Sequence, residues 1–372
     1  MRILHINSYY AAMGEPTFYK SFFEALLSKG IDISVFVPIP REMEVVSEQK
    51  FGEYSLVIKT HNNRDRYFFF PKQKKIFEDA RKRFKNDSFD IIHAHSLFTN
   101  GYVANRLHHF FGVPYVVAVR DTDINTFFRY MLHLKKIGIR ILFEADQVVF
   151  TNESYKNTLI QKILPTEFKE ALLRKSVVLT NGVDRFWLKN RYSRKRDFNH
   201  QNLHLLTVGQ VSKRKNQLSV IRAAELLISR GFNIHYTIVG AIKDRNLFKK
   251  IQKNAFVEYV PPKTKEELLQ FYRKTDVFVL PSKTETFGLV YAEAMTQSLP
   301  VIFTRGQGFD LQFEEGTVGY SVDCENPEEI ADRILDILSN YDVISKNCVR
   351  LCEKYDWGKI AESYIKLYEN CQ

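Results

Sequence analysis

Two carboxylates eight residues apart, Glu285 and Glu293, flank Gly288 in the stretch Pro281-Ser-Lys-Thr-Glu-Thr-Phe-Gly-Leu-Val-Tyr-Ala-Glu-Ala-Met295. The apolar run Asp276-Val-Phe-Val-Leu280 before it reads as a strand, and the glycine reads as the start of a helix. Glu285 then lies on the loop. Glu293 lies about a turn and a half into the helix, roughly 7 to 8 Å past Gly288 at ~1.5 Å per residue. That is the order of the reach from the hexose to the ribose of a nucleotide sugar. The first amides of a helix have no carbonyl partner and sit at the positive end of its dipole, so those of Gly288 and Leu289 suit a diphosphate while carboxylates suit sugar hydroxyls. Acids near a helix start are also favoured by the dipole alone, so the spacing gains its meaning from its flanks.

A second stretch, Val208-Gly-Gln-Val-Ser-Lys-Arg-Lys-Asn216, joins a strand to a basic helix start. Gly209 and Gln210 open the turn, and Lys213, Arg214 and Lys215 form a run of positive charge in which Lys213 reads as a solvated cation. Farther upstream, His93-Ala-His95 closes a strand, and period-two alternation puts both imidazoles on one face. A strand end in a parallel sheet is where ligands bind, which makes His95 a catalytic candidate. Ser96 and Asn100 follow with polar groups, while Glu15, Arg120 and Asp121 are candidate acceptor contacts, Asp121 as a helix cap.

With Asp276-Val-Phe-Val-Leu-Pro-Ser282 before it and Leu299-Pro-Val-Ile302 after it, the glutamate pair resembles the glutamate-x7-glutamate motif of retaining glycosyltransferases of the GT-B fold, family 4. The resemblance spans nearly the whole chain, with specific motifs in the second half and generic ones in the first. It implies two Rossmann-like domains facing a central cleft, and hexosyl transfer from a nucleoside-diphosphate sugar, expected to be a UDP-sugar. The acceptor would be a hydroxyl of a surface-polysaccharide or lipid-linked glycan, with retention at the anomeric carbon and no metal or other cofactor. Glu285 and Lys215 would be catalytic with His95. Glu293, Gly209, Gln210, Arg214, Phe287, Gly288, Leu289 and Gly14 would hold the donor, Glu293 at the ribose. The chain departs from the family pattern at four places: Gln210 stands where an arginine is usual, Gly14 is the only glycine of a usual pair, Ser298 replaces a glycine, and Gly306-Gln-Gly308 with Asp310 replaces paired glycines and a later glutamate.

Elements able to position these groups are legible as alternating apolar runs and helical periods. One series comprises Arg2–Ile6, Asp32–Val37, Asp90–Ala94, Tyr115–Val119, Gln147–Phe150 and Ser176–Leu179; another comprises Leu203–Val208, Ile234–Val239, Phe256–Val260, Asp276–Leu280 and Pro300–Phe303. Runs apolar on both faces and separated by helices predict doubly wound parallel sheets, an α/β chain. The expected domains are 1–188 and 200–355, joined by the basic linker Lys189–Asn199, with 356–372 a closing helix that returns to the first domain. Asp121-Thr-Asp123 could be an acidic metal triplet of the other glycosyltransferase fold. The second Rossmann series and the adjacent Arg120 argue against that.

The chain has 372 residues and a net charge of +11, and residues 1–200 contain the whole excess, with 32 Lys and Arg against 21 Asp and Glu. That asymmetry suggests an anionic partner for the first half. Phe127–Phe143 has four cations and no acid among large apolar residues, and Tyr67–Lys75 with Arg81–Lys85 is similar, a mixture suited to peripheral contact with anionic membrane. No apolar stretch reaches 18 residues and no signal peptide is legible, so the expected location is the cytoplasm or the inner face of the cell membrane. Cys324, Cys348, Cys352 and Cys371 lack zinc spacing. The rival readings are a GT-B epimerase or phosphorylase and a basic nucleic-acid-binding protein. No helix-turn-helix, zinc or RNP-like motif supports the last, and no nucleic-acid partner is expected.

Overall fold

The computed structural model describes residues 1–12, 14–45, 47–193 and 202–371. It divides into two compact units, Met1–Gly182 with Trp357–Gln372 and Val183–Asp356. In the first unit the strands are β1 (Arg2–Ile6), β2 (Ala11–Ala12), β3 (Glu15–Pro16), β4 (Asp32–Pro40), β5 (Ser55–His61), β6 (Ile91–Ala94), β7 (Tyr115–Val119), β8 (Gln147–Phe150) and β9 (Ser176–Val178). Seven of them form a parallel sheet in the order β5-β4-β1-β6-β7-β8-β9, and β2 and β3 form a small antiparallel hairpin. The strand order reverses at β1, between β4 and β6. Such a switch point leaves a crevice beyond the carboxyl ends of the strands.

Both faces of this sheet are covered, which is why its inner strands are apolar at consecutive positions. On one face Ile76, Phe77, Val103, Leu107, Ile141 and Leu142, from the helices Phe69–Arg83, Thr99–Phe111 and Lys135–Glu144, are buried against Leu4, Ile92 and Val117. On the other face the first and last helices pair: Phe22, Phe23 and Leu26 of Tyr19–Ser28 pack with Ile360, Tyr364 and Leu367 of Trp357–Glu369. The three- and four-residue spacing of those apolar positions gives the last helix its one buried stripe. Its first residue, Trp357, lies parallel to Phe18 with ring centroids 6.1 Å apart, and a side chain at Gly182 would meet the indole at 2.5 Å.

The second unit contains β10 (Asn202–Val208), β11 (Asn233–Val239), β12 (Val257–Val260), β13 (Val277–Val279), β14 (Val301–Thr304) and β15 (Gly319–Val322), all parallel, in the order β12-β11-β10-β13-β14-β15. One core joins both faces. Here the order reverses between β10 and β13, the two strands that lead into the lysine-bearing and glutamate-bearing loops.

The first domain, expected to run to residue 188, ends instead at Gly182. The short helix Arg185–Lys189 is held in the second unit because Trp187 buries its ring edge-on to Tyr272, at 5.4 Å and 87°. The start of the expected linker is also fixed there: Arg191 pairs with Glu353 at 2.7 Å, and the Tyr192 amide donates to the Thr296 carbonyl at 2.9 Å. Linker residues 194–199 lie outside the described residues. Among the described residues, no helix is long and apolar enough to cross a membrane.

Candidate active site

Beyond β13 the chain turns at Pro281 and Ser282 and carries Glu285 under the turn before Gly288. The Glu285 carboxylate accepts from the Lys215 ammonium at 2.5 Å and from the Ser282 hydroxyl at 3.1 Å; both Lys215 and Glu285 are buried. Arg214 lies 3.9 Å away on the other carboxylate oxygen and donates to the Thr284 carbonyl at 3.0 Å. Burial lowers the pKa of Lys215, against the opposing pull of Glu285. The loop after β14 braces this pair. The Glu285 amide donates to the Gln307 side-chain oxygen at 3.0 Å, and the Gly308 amide donates to the Glu285 carbonyl at 3.0 Å. Gly308 has no room for a side chain, since a Cβ would stand 2.3 Å from the Thr286 carbonyl oxygen.

Gly288 precedes the helix Leu289–Thr296 in the left-handed region, with φ 78° and ψ 55°. Its missing Cβ leaves space for the Tyr291 ring, which anchors the turn by donating to the Leu280 carbonyl at 2.5 Å. The Tyr291 amide closes on the Gly288 carbonyl at 2.9 Å, and the amides of Leu289 and Val290 before it have no carbonyl of the preceding helical turn to bond. Gly209 follows β10 and Gly240 follows β11, where the two loops touch: a Cβ on Gly240 would lie 2.2 Å from the Gly209 carbonyl oxygen. Gln210 is exposed, and its carbonyl accepts from Gln217 at 2.9 Å. Gln210, Arg214, Lys213, Lys243 and Arg245 line an open pocket of about 530 Å³.

Glu293 is half-buried and accepts from the Tyr272 hydroxyl at 3.1 Å. Burial pushes its carboxyl up to about 7, with the Tyr272 hydroxyl pulling the other way and Asp184 adding to the rise. Phe287, grouped by sequence with the donor-binding residues, turns its ring into the core 5.9 Å from Tyr355, which leaves its backbone alone for any donor contact. Ser298, standing where a glycine is usual, has φ 64°, the backbone conformation that favours glycine; its hydroxyl donates to the Tyr192 carbonyl.

In the first unit the acceptor-side candidates are largely committed to internal contacts. His5 and His93 are register partners across β1 and β6, and His95 follows on the same face. The three imidazoles are fully buried beneath Phe22, Phe23 and Tyr19, with His5 Nδ1 and His95 Nε2 at 3.0 Å and His93 Nδ1 meeting the Tyr368 hydroxyl at 2.6 Å. Burial holds all three below the usual histidine range and so neutral. Their ligating atoms lie within 4.8 Å of one another, but the Arg120 cation beside them opposes a metal ion. His95 thus faces the aromatic core of its own unit, because the strand alternation that pairs it with His93 turns both inward.

Arg120 donates to the His95 carbonyl at 3.0 Å and to Asn181 at 3.2 Å. Asp121 was expected as a helix cap, but its carboxylate accepts from Asn125 at 2.6 Å and Tyr155 at 3.0 Å. The acid that caps backbone is Asp123, fully buried, which accepts from the amides of Leu97, Phe98 and Arg120 at 2.8 to 3.1 Å. Burial pushes its carboxyl up to about 6 in spite of those bonds. The Ser96 hydroxyl pairs with Thr99 at 2.6 Å, and Asn100 accepts from the Ser8 amide at 3.1 Å. Gly14 sits at φ 83° in the turn between β2 and β3, pressed so closely on the Glu44 backbone that a Cβ would lie 2.2 Å from its oxygen; the neighbouring Glu15 pairs with Lys50 at 3.2 Å.

Residues 189–367 match the model of the "Glycosyl transferases group 1" family, and residues 16–185 match that of "Glycosyltransferase Family 4". The chain belongs to these glycosyltransferases. An uncharacterized glycosyltransferase of Methanocaldococcus jannaschii is 26% identical over 77% of this chain and 76% of its own length. The D-inositol 3-phosphate glycosyltransferase of Pseudarthrobacter chlorophenolicus is 27% identical over 68% of this chain and 64% of its own length. Among solved structures, sucrose-phosphate synthase from Thermosynechococcus elongatus aligns with TM-score 0.75 at 18% identity, covering 99% of this chain and 98% of that one. Anabaena HepE in complex with UDP aligns with TM-score 0.73 at 16% identity, covering 98% and 99%. The glycosyltransferase has the α/β GT-B fold. Three of its site residues were not assigned from sequence: Ser282, Gln307 and Gly308. In sequence Gln307 and Gly308 stand out only as departures from the family pattern, and their work of bracing the Glu285 loop depends on β14 lying next to β13.

Proposed function

We propose that this glycosyltransferase moves a hexosyl residue from a nucleoside-diphosphate sugar, a UDP-sugar in the first instance, to a hydroxyl of a surface-polysaccharide or lipid-linked glycan. The transfer retains anomeric configuration and uses no metal ion. The observation that carries the reading is the buried Glu285–Lys215 pair beside the helix start at Gly288. The Anabaena relative in fold, solved with UDP and with UDP-glucose, supports the donor class.

On this reading Glu285 holds sugar hydroxyls and Glu293 the ribose, while Lys215, Arg214 and the amides of Gly288 and Leu289 receive the diphosphate. The bond from the anomeric carbon to the departing phosphate oxygen breaks, its electron pair leaving with the diphosphate. The acceptor oxygen forms the new bond on the same face and passes its proton to that phosphate oxygen. Fixed positive potential at the leaving group is then the main source of rate. Action on the cytoplasmic side of the cell membrane would suit a lipid-linked acceptor.

A thermal-shift panel of nucleotide sugars tests the donor assignment: the correct one at about 100 times its Kd adds about 2.7 kcal/mol of stability. A panel in which no nucleotide sugar stabilises the protein overturns it. Product analysis should show retained configuration and a rate indifferent to chelator. An inverted product overturns retention, an epimerised nucleotide sugar favours the epimerase, and a rate abolished by chelator overturns metal independence.

A further inference from the structure

Five large apolar side chains of the first unit stand in solvent at one place in the chain's topology: Tyr67, Phe68 and Phe70 are 71, 63 and 46% exposed, and Tyr130 and Leu132 are 70 and 67% exposed. Tyr67 ends a short helical turn, Asn63–Tyr67, that leaves the carboxyl end of β5; Tyr130 and Leu132 belong to the segment that leaves the carboxyl end of β7. The two segments meet through partly buried rings, with Phe69 lying 6.2 Å from Phe127 and 5.5 Å from Tyr102. The buried rings anchor the loops and their neighbours in sequence are left pointing outward. Isolated exposed apolar residues are ordinary, but clustered aromatic tips on anchored loops mark a contact surface.

Cations surround these tips. Residues 62–75 contain Arg64, Arg66, Lys72, Lys74 and Lys75 against the single acid Asp65, and residues 127–140 contain Arg129, Lys135, Lys136 and Arg140 with no acid. Arg66 lies 4.7 Å over the Tyr67 ring and Arg129 lies 5.3 Å over the Tyr130 ring, so the exposed tyrosine of each loop is paired with a guanidinium. Aromatic rings beside cations suit the headgroup region of a bilayer, where the rings enter the acyl boundary and the cations meet lipid phosphates.

We infer that this rim docks the protein on a bilayer rich in anionic phospholipid, through the side chains of Tyr67, Phe68, Tyr130 and Leu132 and the basic residues flanking them. The occupant is a lipid surface rather than a second protein because positive charge prevails along both loops, with Asp65 the one acid and paired to Lys75 at 2.7 Å. The rim lies at the carboxyl-terminal edge of the first sheet, the edge that also carries Ser96, Asn100 and Arg120. An acceptor anchored in the bilayer would therefore emerge beside the strand ends of that unit. The inference rests on the lipid-linked acceptor reading only for this last consequence; the docking itself does not need it.

Co-sedimentation of the full chain with vesicles of phosphatidylcholine alone, or with 30% phosphatidylglycerol (roughly the anionic content that gives a substantial surface potential), tests it. Binding is expected to the anionic vesicles at low salt, to weaken in about 0.5 M salt, and to fall more than about ten-fold in the quadruple variant Tyr67→Ser, Phe68→Ser, Tyr130→Ser, Leu132→Ser. These positions are exposed, so the variant should keep the parent's thermal midpoint and its stabilisation by nucleotide sugar. Absence of anionic-vesicle binding by the parent, or undiminished binding by the variant, overturns the inference. So does a dimer in light scattering that the same variant dissociates, which would make the rim an interface between copies. Loss of nucleotide-sugar binding in the parent would instead remove the donor assignment and leave the vesicle result standing.

Discussion

Lys215 and Glu285 sit 2.5 Å apart with both side chains nearly closed off from water, so each charge has the other as its nearest partner of opposite sign. Removing one partner leaves an uncompensated charge, at a cost of about 3 to 5 kcal/mol, whereas removing both takes away the penalty along with the attraction. Denaturant titrations of Lys215→Ala, Glu285→Ala and the double variant should therefore show a double mutant much less destabilised than the sum of the singles; strict additivity would deny the coupling. In turnover, Lys215→Ala should lose about 10² to 10³ in kcat through the lost support of the leaving group, and an unchanged rate would take Lys215 out of the site. Glu293 offers a pH handle. Its folded pKa is raised from 4.5 to about 7, so between those values the folded protein keeps a proton that the unfolded chain has released. Stability then declines as pH climbs through that window and levels off above it. Glu293→Gln should flatten this decline, and it should abolish the expected rise in nucleotide affinity as the carboxylate ionises to accept from a ribose hydroxyl. Parallel stability curves for the two proteins would show that Glu293 does not titrate in this range.

The short helix Leu289–Thr296 is fixed at its beginning by geometry that no ordinary residue can copy. At Gly288 a Cβ would need a left-handed backbone and would lie 2.3 Å from the Tyr291 ring. Gly288→Ala should cost about 2 to 4 kcal/mol, combining the left-handed penalty with overpacking. It should also weaken nucleotide binding at least about ten-fold, because the helix amides shift with the ring. Calorimetry with native affinity in a destabilised Gly288→Ala protein would separate the helix start from the diphosphate. The loops of the first unit have a similar dependence on one buried group. Asp123 ties the amides of Leu97, Phe98 and Arg120 together, so it fixes the ends of two neighbouring strands at once. Sequence pointed to Asp121 as the cap; the helical turn after β7 gives that work to Asp123 instead, turning Asp121 to Tyr155 and Asp123 under the backbone.

At the scale of the whole molecule, the last helix belongs to the first unit although it follows the second in sequence. Its Trp357, Ile360, Tyr364 and Leu367 complete one face of the first sheet, and Tyr368 reaches His93 at 2.6 Å. Truncation before Trp357 should therefore unfold the first unit, seen as protease sensitivity within residues 1–182, while the second unit keeps its nucleotide-induced stabilisation. A truncated chain with an intact first unit would show the helix to be dispensable. Sequence periodicity located β1, β7 and β8 to the residue, because a strand buried on both faces is written as a nearly continuous apolar run. It missed β5 and β15, which lie at the sheet edges: β5 buries only its last two residues, Thr60 and His61, and β15 is only four residues beginning with Gly319. The glutamate and lysine loops were legible for a related reason, since residue type, spacing and flanking strands all lie within single short stretches. That Lys215 meets Glu285 across 70 residues, that Gln307 and Gly308 brace the same loop, and that His95 turns into an aromatic core were decided only by tertiary structure. Local periodicity fixes which way a side chain points from its own strand, but which strand lies alongside, and what packs above it, is set by the long-range order of the sheet.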